Sequence, residues 1–209
     1  MKNSLWLLLT ILVGSVGLLA QPAGRFTYQG LSAADRQRVD SLCRAMSLEE
    51  KVGQMFVPAV FLQTPAQVSR ALYLIDSCRV GGVSLYRNEP EAVLDFLAQA
   101  QQHSRRVPLL PAMTLERGLA MRLDGTFGYP WPLTMGALGN DTLVYQVGRR
   151  IGEACRQMGI YANFAPSADV NTEPENPIIG VRSFGEDPHW VAGKVAAFVR
   201  GMQDAGVLA

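Results

Sequence analysis

Residues 141–165 read DTLVYQVGRRIGEACRQMGIYANFA. Asp141 is placed to cap a long helix that runs to Met158, and Gly159 supplies the left-handed residue that ends it. Ile160–Ala165 follows as a short apolar strand without polar alternation, the pattern of a strand buried on both faces. Helix, glycine and buried strand together form one crossover unit of a parallel sheet, and the same unit recurs on either side. Upstream, Val107–Met113 reads as a strand after a helix over Pro90–Gln102, with Val93, Leu94 and Leu97 facing inward. Val83–Tyr86, introduced by Gly81-Gly82, reads as a strand after a helix over Pro65–Ser77, which carries Val68, Leu72 and Ile75 on one face. Met55–Val60 reads as the first strand, with Pro58 at odds with its far end. It is preceded by Ser47-Leu48-Glu49-Glu50, a capping box that opens a helix to about Gln54, and by a helical pattern over Ser32–Met46. Downstream, a long polar loop leads to Asp187-Pro188, a cap followed by proline at the first helical position, and to a helix ending near Ala205. Val207-Leu208-Ala209 then reads as the opening of a fifth strand.

Strands and helices alternating in this way give an α/β fold with parallel strands and helical crossovers. Two architectures fit the pattern: a doubly wound open sheet and a (β/α)8 barrel. No G-x-G-x-x-G follows the first strand, which argues against a dinucleotide fold. The strand spacing is that of a barrel, with about five of the eight units present. The chain stops on an apolar strand start, so it is expected to continue beyond residue 209. An arc of five strands alone would leave two open edges.

The 209 residues are 48% hydrophobic and 18% charged, with a formal net charge of +1. That supports one sizeable core and excludes both a disordered polyelectrolyte and a basic nucleic-acid binder. Residues 1–20 resemble a secretory leader, with Lys2 before an apolar run and Ala20 before Gln21-Pro22. The expected location is therefore periplasmic or extracellular, or membrane-associated if the leader is retained, with residues 21–209 as the exported domain. Cys43, Cys78 and Cys155 are scattered and read as small buried hydrophobes. With only His103 and His189 beside them, no metal site is expected. The three lysines, Lys2, Lys51 and Lys194, lie away from strand ends, which argues against a Schiff-base aldolase. A phosphate-sugar isomerase would need a glycine-rich phosphate loop late in the barrel, a region that this sequence does not reach.

In parallel α/β folds the chemistry gathers in loops after the carboxyl ends of strands. Here those loops are Thr114–Arg122, Pro166–Asn171 and Asn176–Pro188. They offer the acceptors Glu116 and Asp169, the amides of Asn171 and Asn176, and the arginines Arg122 and Arg182. Carboxylates and guanidinium groups together suit a polyhydroxylated neutral ligand, because both can make paired hydrogen bonds to neighbouring hydroxyls. Each residue also has a purely architectural reading: Asp187 as a helix cap, Glu186 in an ion pair, Asn171 and Asn176 as loop braces, Arg122 as a solvated charge, and Trp131 as packing rather than a sugar platform. Arg182, amid Gly, Ser and Phe in a long loop, is the strongest candidate for ligand contact.

Asn163-Phe164-Ala165-Pro166 through Asp169-Val170-Asn171, Asn176-Pro177-Ile178-Ile179-Gly180, and Arg182-Ser183-Phe184-Gly185-Glu186-Asp187-Pro188 resemble glycoside hydrolase family 3, in particular its β-N-acetylhexosaminidase branch. Leu48-Glu49-Glu50-Lys51-Val52-Gly53-Gln54-Met55 and Gly81-Gly82-Val83 are similar to the opening helix and second strand of that family. The likeness spans residues 45–209. It implies a TIM-like (β/α)8 barrel and an exported enzyme without metal or organic cofactor. The implied activity is retaining hydrolysis of terminal non-reducing N-acetyl-β-D-hexosamine residues from oligosaccharides or cell-wall glycans.

The resemblance makes Arg182, Arg122 and Glu116 substrate-binding residues. At Thr114 the family carries an aspartate that grips sugar hydroxyls, and the threonine here cannot make a charged bidentate contact. The family's acid/base histidine and nucleophilic aspartate would lie beyond residue 209, so no catalytic residue is expected within this chain and the chain alone is expected to be inactive. The rival readings are a non-catalytic carbohydrate-binding module and a β-glucosidase of the same family.

Overall fold

The computed structural model describes residues 30–104 and 106–209. The leader read over residues 1–20 lies outside them. The chain divides after Met46 into two units. In the first, helix α1 (Ala33–Ala45) is capped by Ser32, whose hydroxyl accepts the Asp35 N–H at 3.1 Å. None of its residues is buried, so Cys43 is exposed and not a core residue.

The second unit is built from crossover repeats. Its elements are α2 (Leu48–Gln54), β1 (Ala59–Val60), α3 (Pro65–Asp76), β2 (Gly82–Leu85), α4 (Pro90–His103), β3 (Leu110–Met113), α5 (Pro132–Gly136), α6 (Asp141–Gln157), β4 (Ala162–Asn163) and α7 (Pro188–Asp204). The four strands are all parallel and lie in sequence order, β1-β2-β3-β4. A doubly wound sheet reverses its strand order at a switch point, whereas a barrel never does. The uninterrupted order therefore selects the barrel arc over the open sheet. Leu208 bridges Ala162 in parallel and bonds on both sides of it, with Asn163 N–H to Leu208 O at 2.8 Å and Leu208 N–H to Tyr161 O at 2.9 Å. That is the start of a fifth strand in the expected place.

Capping explains most helix starts. Ser47 and Glu50 form the capping box of α2, Thr64 and Gln67 form a second one at α3, and the Asp187 carboxylate accepts the Trp190 N–H at 2.8 Å to open α7. Helix α6 is capped one residue earlier than expected. Asn140 is extended and accepts the Thr142 N–H at 2.8 Å, which frees Asp141 for an ion pair with Lys194.

The first strand is shorter than Met55–Val60. Met55 and Phe56 close α2 through N–H bonds back to Val52 and Gly53, and Pro58 has no N–H to give a ladder. From this stretch ahead of β1, the Phe56 and Pro58 carbonyls still accept from Gly82 and Ser84 of β2. Cys78 lies past the end of α3 and is exposed, so of the three thiols only Cys155 is buried as expected. Burial pushes the Cys155 thiol up to about 12.

The core runs along the inner faces of α3, α4, α6 and α7, with Ile75, Phe96, Ile151, Phe198 and Met202 almost fully buried. Helices α6 and α7 touch through glycines. A Cβ on Gly148 would lie 2.4 Å from the Phe198 carbonyl oxygen, and one on Gly201 2.2 Å from that of Tyr145. Two backbones this close leave no room for any side chain at those positions.

Candidate functional site

The loops after β3 and β4 meet at the carboxyl end of the sheet. Asn163, the last residue of β4 and buried, turns its amide onto the neighbouring loop. Its Oδ1 accepts the Leu115 N–H at 2.8 Å and its Nδ2 donates to the Leu115 carbonyl at 3.4 Å. Leu115 is itself in the core. This double clasp fixes the residues on either side of it, Thr114 and Glu116.

Glu116 is only 1% exposed, and an unpaired carboxylate there would be costly. Its partner is Arg182. Arg182 Nε donates to Oε1 at 2.9 Å and Oε2 at 3.1 Å, and Nη2 donates to Oε1 at 2.6 Å. A further N–H, on Nη1, reaches the Ile178 carbonyl at 3.3 Å. A guanidinium has five N–H groups, so one on each terminal nitrogen is left for a ligand. The Arg182 side chain is 34% exposed, which makes this edge accessible. Its hydrogen bonds to Glu116 hold the guanidinium pKa above the usual arginine value, against partial desolvation, and the charges of Glu116 and Asp169 add to the effect.

The loop that carries Arg182 is built from its own side chains. Asn176 Oδ1 accepts the N–H groups of Ile178 and Ile179 at 2.9 and 3.3 Å, the loop-bracing role open to it from sequence. Gly180 turns the chain at φ +35°, a value that disfavours a side chain, and opens the short 3-10 turn ending at Arg182. Ser183 is buried, donates to the Asp169 carbonyl at 2.6 Å and accepts the Gly185 N–H at 3.2 Å. Phe184 fills the core against Phe198. Behind it, a Cβ on Gly136 would fall 1.8 Å from the Phe184 carbonyl oxygen, and Trp190 Nε1 donates to the Gly136 carbonyl at 2.7 Å.

The remaining candidates divide. Asp169 is exposed, accepts from Ser167 Oγ at 2.7 Å, and is close enough to Arg182 to raise its pKa. Thr114 is half-buried at the end of β3, and among the described residues its hydroxyl has no hydrogen-bond partner. Arg122 shares no hydrogen bond or ion pair with the Glu116–Arg182 fork among the described residues. Its guanidinium carbon lies 5.4 Å from the Tyr86 ring centre, and no carboxylate pairs with it among the described residues. Trp131 is half-buried, with the Arg117 guanidinium 5.0 Å from its ring centre. Asn171 donates its backbone N–H to the Gly185 carbonyl at 2.9 Å, while its buried Oδ1 has no partner. Glu186 is exposed and forms no ion pair among the described residues. His103 ends α4 and His189 lies in the first turn of α7, both exposed. Among the described residues no three His, Cys, Asp or Glu groups cluster as metal ligands.

Sequence reasoning did not single out Asn163, Tyr86 or Lys194 for the jobs they do here. For two of them a signal was present. Asn163 is an amide inside an otherwise apolar strand, and Lys194 is a lone charge in an apolar helix face, where its side chain is 1% exposed, its ammonium lies over Trp190 and it pairs with Asp141 at 2.6 Å.

Residues 47–209 match the glycosyl hydrolase family 3 N terminal domain. The curated relatives include the Beta-hexosaminidase LpqI of Mycobacterium tuberculosis, 30% identical over 166 residues, a match covering 78% of this chain and 42% of that protein. A Beta-N-acetylglucosaminidase/beta-glucosidase of Cellulomonas fimi is 30% identical over 164 residues, covering 78% of this chain and 28% of its own length. Among solved structures, a glycoside hydrolase family 3 beta-N-acetylglucosaminidase from Paenibacillus superposes with a TM-score of 0.69 at 40% identity, over 78% of this chain and 32% of that one. The chain thus spans less than half the length of these relatives.

Proposed function

Because the chain belongs to glycosyl hydrolase family 3, we propose that it supplies the sugar-gripping loops of a retaining glycoside hydrolase acting on terminal non-reducing N-acetyl-β-hexosamine residues. The observation that carries this reading is the Arg182–Glu116 fork. It presents two free N–H groups of a fixed guanidinium at the carboxyl end of a barrel arc, where this architecture binds ligands. Glu116 acts through Arg182: buried, it holds the guanidinium in one orientation. Asp169 stands exposed beside Arg182 as an acceptor for sugar hydroxyls, and Thr114 adds one neutral hydrogen bond. Names among the relatives favour an N-acetylhexosaminide over a simple glucoside, and the Cellulomonas protein carries both activities in its name.

Retaining hydrolysis needs two groups flanking the scissile bond, about 5 Å apart when both are carboxylates. Among the described residues Glu116 is committed to Arg182 and both histidines lie on helices, so the loops after β3 and β4 are assigned binding and orientation of the sugar and not bond cleavage. The test compares aryl N-acetyl-β-glucosaminide and aryl β-glucoside. The 209-residue chain is expected to bind N-acetylglucosamine saturably by calorimetry and to release no aryl alcohol from either compound. Aryl release would refute the division of labour, and absence of sugar binding by the folded chain would refute the assignment of the sugar grip to these loops.

The leader-like residues 1–20 support an exported protein. A fractionation experiment that found the protein in the cytoplasm would overturn that assignment.

A further inference from the structure

Asp124-Gly125 is the one Asp-Gly pair in the 209 residues, and the sequence contains no Asn-Gly. It ends a short bridge between the loops after β2 and β3. Asn88 N–H reaches the Arg122 carbonyl at 3.0 Å, Asn88 and Leu123 pair in parallel, and the Asp124 N–H reaches back to the Asn88 carbonyl at 3.4 Å. Past that last bond the chain turns outward. Gly125 is exposed at φ +73°, and a Cβ built on it would meet nothing within 4 Å. Its N–H has no hydrogen-bond partner among the described residues.

The neighbouring carboxylate, by contrast, is occupied. Arg87 Nε donates to Asp124 Oδ1 at 3.0 Å and to Oδ2 at 3.3 Å, and Arg87 Nη2 donates to Oδ1 at 2.6 Å. The Arg87 and Asp124 side chains are 75% and 45% exposed, so this fork stands in water. The hydrogen bonds from Arg87 hold the Asp124 carboxyl below its ordinary pKa. An unengaged backbone nitrogen therefore follows directly on a carboxyl group whose oxygens a guanidinium has claimed.

We propose that Asp124-Gly125 is a site of spontaneous isoaspartate formation and that the Arg87 fork restrains it. The Gly125 nitrogen attacks Cγ of the protonated Asp124 carboxyl. A new N–C bond forms, the carboxyl OH leaves with the amide proton as water, and the product is a five-membered succinimide. Water then opens the ring. Cleavage between nitrogen and Cγ restores aspartate, whereas cleavage between nitrogen and the Asp124 carbonyl carbon leaves the main chain running through Cγ as isoaspartate. One water is lost and one gained, and no other reactant enters. A glycine has no Cβ to obstruct the attack and turns freely into the geometry it needs. A carboxylate kept ionised by Arg87 is the poorer electrophile, which is how the fork restrains the reaction. Isomerisation adds a methylene to the main chain and draws Asp124 away from both Asn88 and Arg87, loosening the bridge between the two loops. None of this depends on the sugar-binding reading.

The experiment incubates the 209-residue chain at physiological temperature and neutral pH. Isoaspartate is quantified by enzymatic methyl transfer from S-adenosylmethionine and located by peptide mapping. Three samples are compared: the parent in low salt, the parent in molar sodium chloride, and Arg87→Ala. The peptide holding Asp124-Gly125 is expected to carry more isoaspartate than any other. Salt, which screens an exposed pair, and loss of Arg87 are each expected to raise its rate roughly threefold, a modest factor because the pair is solvated. Far-UV dichroism establishes that each sample is folded, and the salt comparison on the parent decides the matter if Arg87→Ala is not. Isoaspartate that is absent from this peptide in every folded sample, or more abundant in another peptide, overturns the site. Equal rates in all folded samples overturn the restraint by Arg87.

Discussion

Arg182→Ala tests the reasoning about the site most directly. The substitution leaves the Glu116 carboxylate 1% exposed with its charged partner gone. Removing one member of a fully buried pair costs about 3–5 kcal/mol. Arg182 is 34% exposed, so water enters the space its side chain vacates and reduces that cost to about 2–3 kcal/mol. For a chain of this size the melting temperature is expected to fall by roughly 5–10 °C. Glu116→Gln keeps the shape and some of the hydrogen bonding but removes the charge, so about 1–2 kcal/mol is expected. In the double variant no buried charge is left unpaired. Its loss should therefore be smaller than the sum of the single losses by about 1–3 kcal/mol. The assay is urea denaturation followed by far-UV dichroism at pH 7, with all four proteins at one concentration.

The sign of the pH dependence follows from the raised pKa of Arg182. A cation whose folded pKa is raised contributes its stability in full below the ordinary arginine value and loses it only above that value. The fork should accordingly survive a scan from neutral pH to about pH 10. Either of two results would refute the argument: an Arg182→Ala protein that melts within about a degree of the parent, or a strictly additive cycle. Each would mean that Glu116 is not held by Arg182 in solution.

Cys155 gives a separate alkaline signature. Its folded thiol titrates at about 12, above its ordinary value of 9.0, so its stabilising contribution is complete below pH 9 and is lost as pH rises from there. Cys155→Ala should flatten the decline in stability above pH 9 relative to the parent, and alkylation of the native protein at pH 8 should label Cys43 and Cys78 before Cys155. Gly148→Ala and Gly201→Ala each place a methyl group against a carbonyl oxygen across the α6–α7 contact, at 2.4 and 2.2 Å. Each should cost about 1–3 kcal/mol in denaturant melts, and a neutral result would mean that the helices are further apart than described. Asn163→Ala removes the clasp on Leu115 and leaves the buried Leu115 N–H without its partner. A loss of about 1–3 kcal/mol and weaker binding of N-acetylglucosamine are expected, whereas unchanged sugar affinity would show that the clasp does not position Glu116.

The barrel was legible because its evidence is local and repeated. Each crossover announces itself through a cap, a helical stripe, a breaker and a short apolar run, and Ser47 and Asp187 do in the structure what their spacing promises. The errors fell where local evidence competes with itself. Met55 and Phe56 are apolar enough for a strand, yet they close α2 because the helix has carbonyls to satisfy and Pro58 has no donor for a ladder. At the start of α6 both Asn140 and Asp141 qualify as caps. What decides between them is Lys194, more than fifty positions further along the chain, whose buried ammonium takes the aspartate.

The same contrast governs the site. The residue types expected to meet sugar could be named from the strand-end loops, but a sequence does not say which of them spend their charge on one another. Glu116 and Arg182 looked like two ligand contacts and form one device, in which the buried carboxylate orients the guanidinium and the guanidinium alone faces outward. This alters what Thr114 means. If Glu116 were a direct ligand, a threonine two residues earlier would leave one of two gripping carboxylates in place. With Glu116 turned inward and a neutral threonine at 114, Asp169 is the exposed carboxylate of the two, Glu116 and Asp169. On the proposed sugar-binding reading, the charged contacts offered beside the fork come from Arg182 and Asp169.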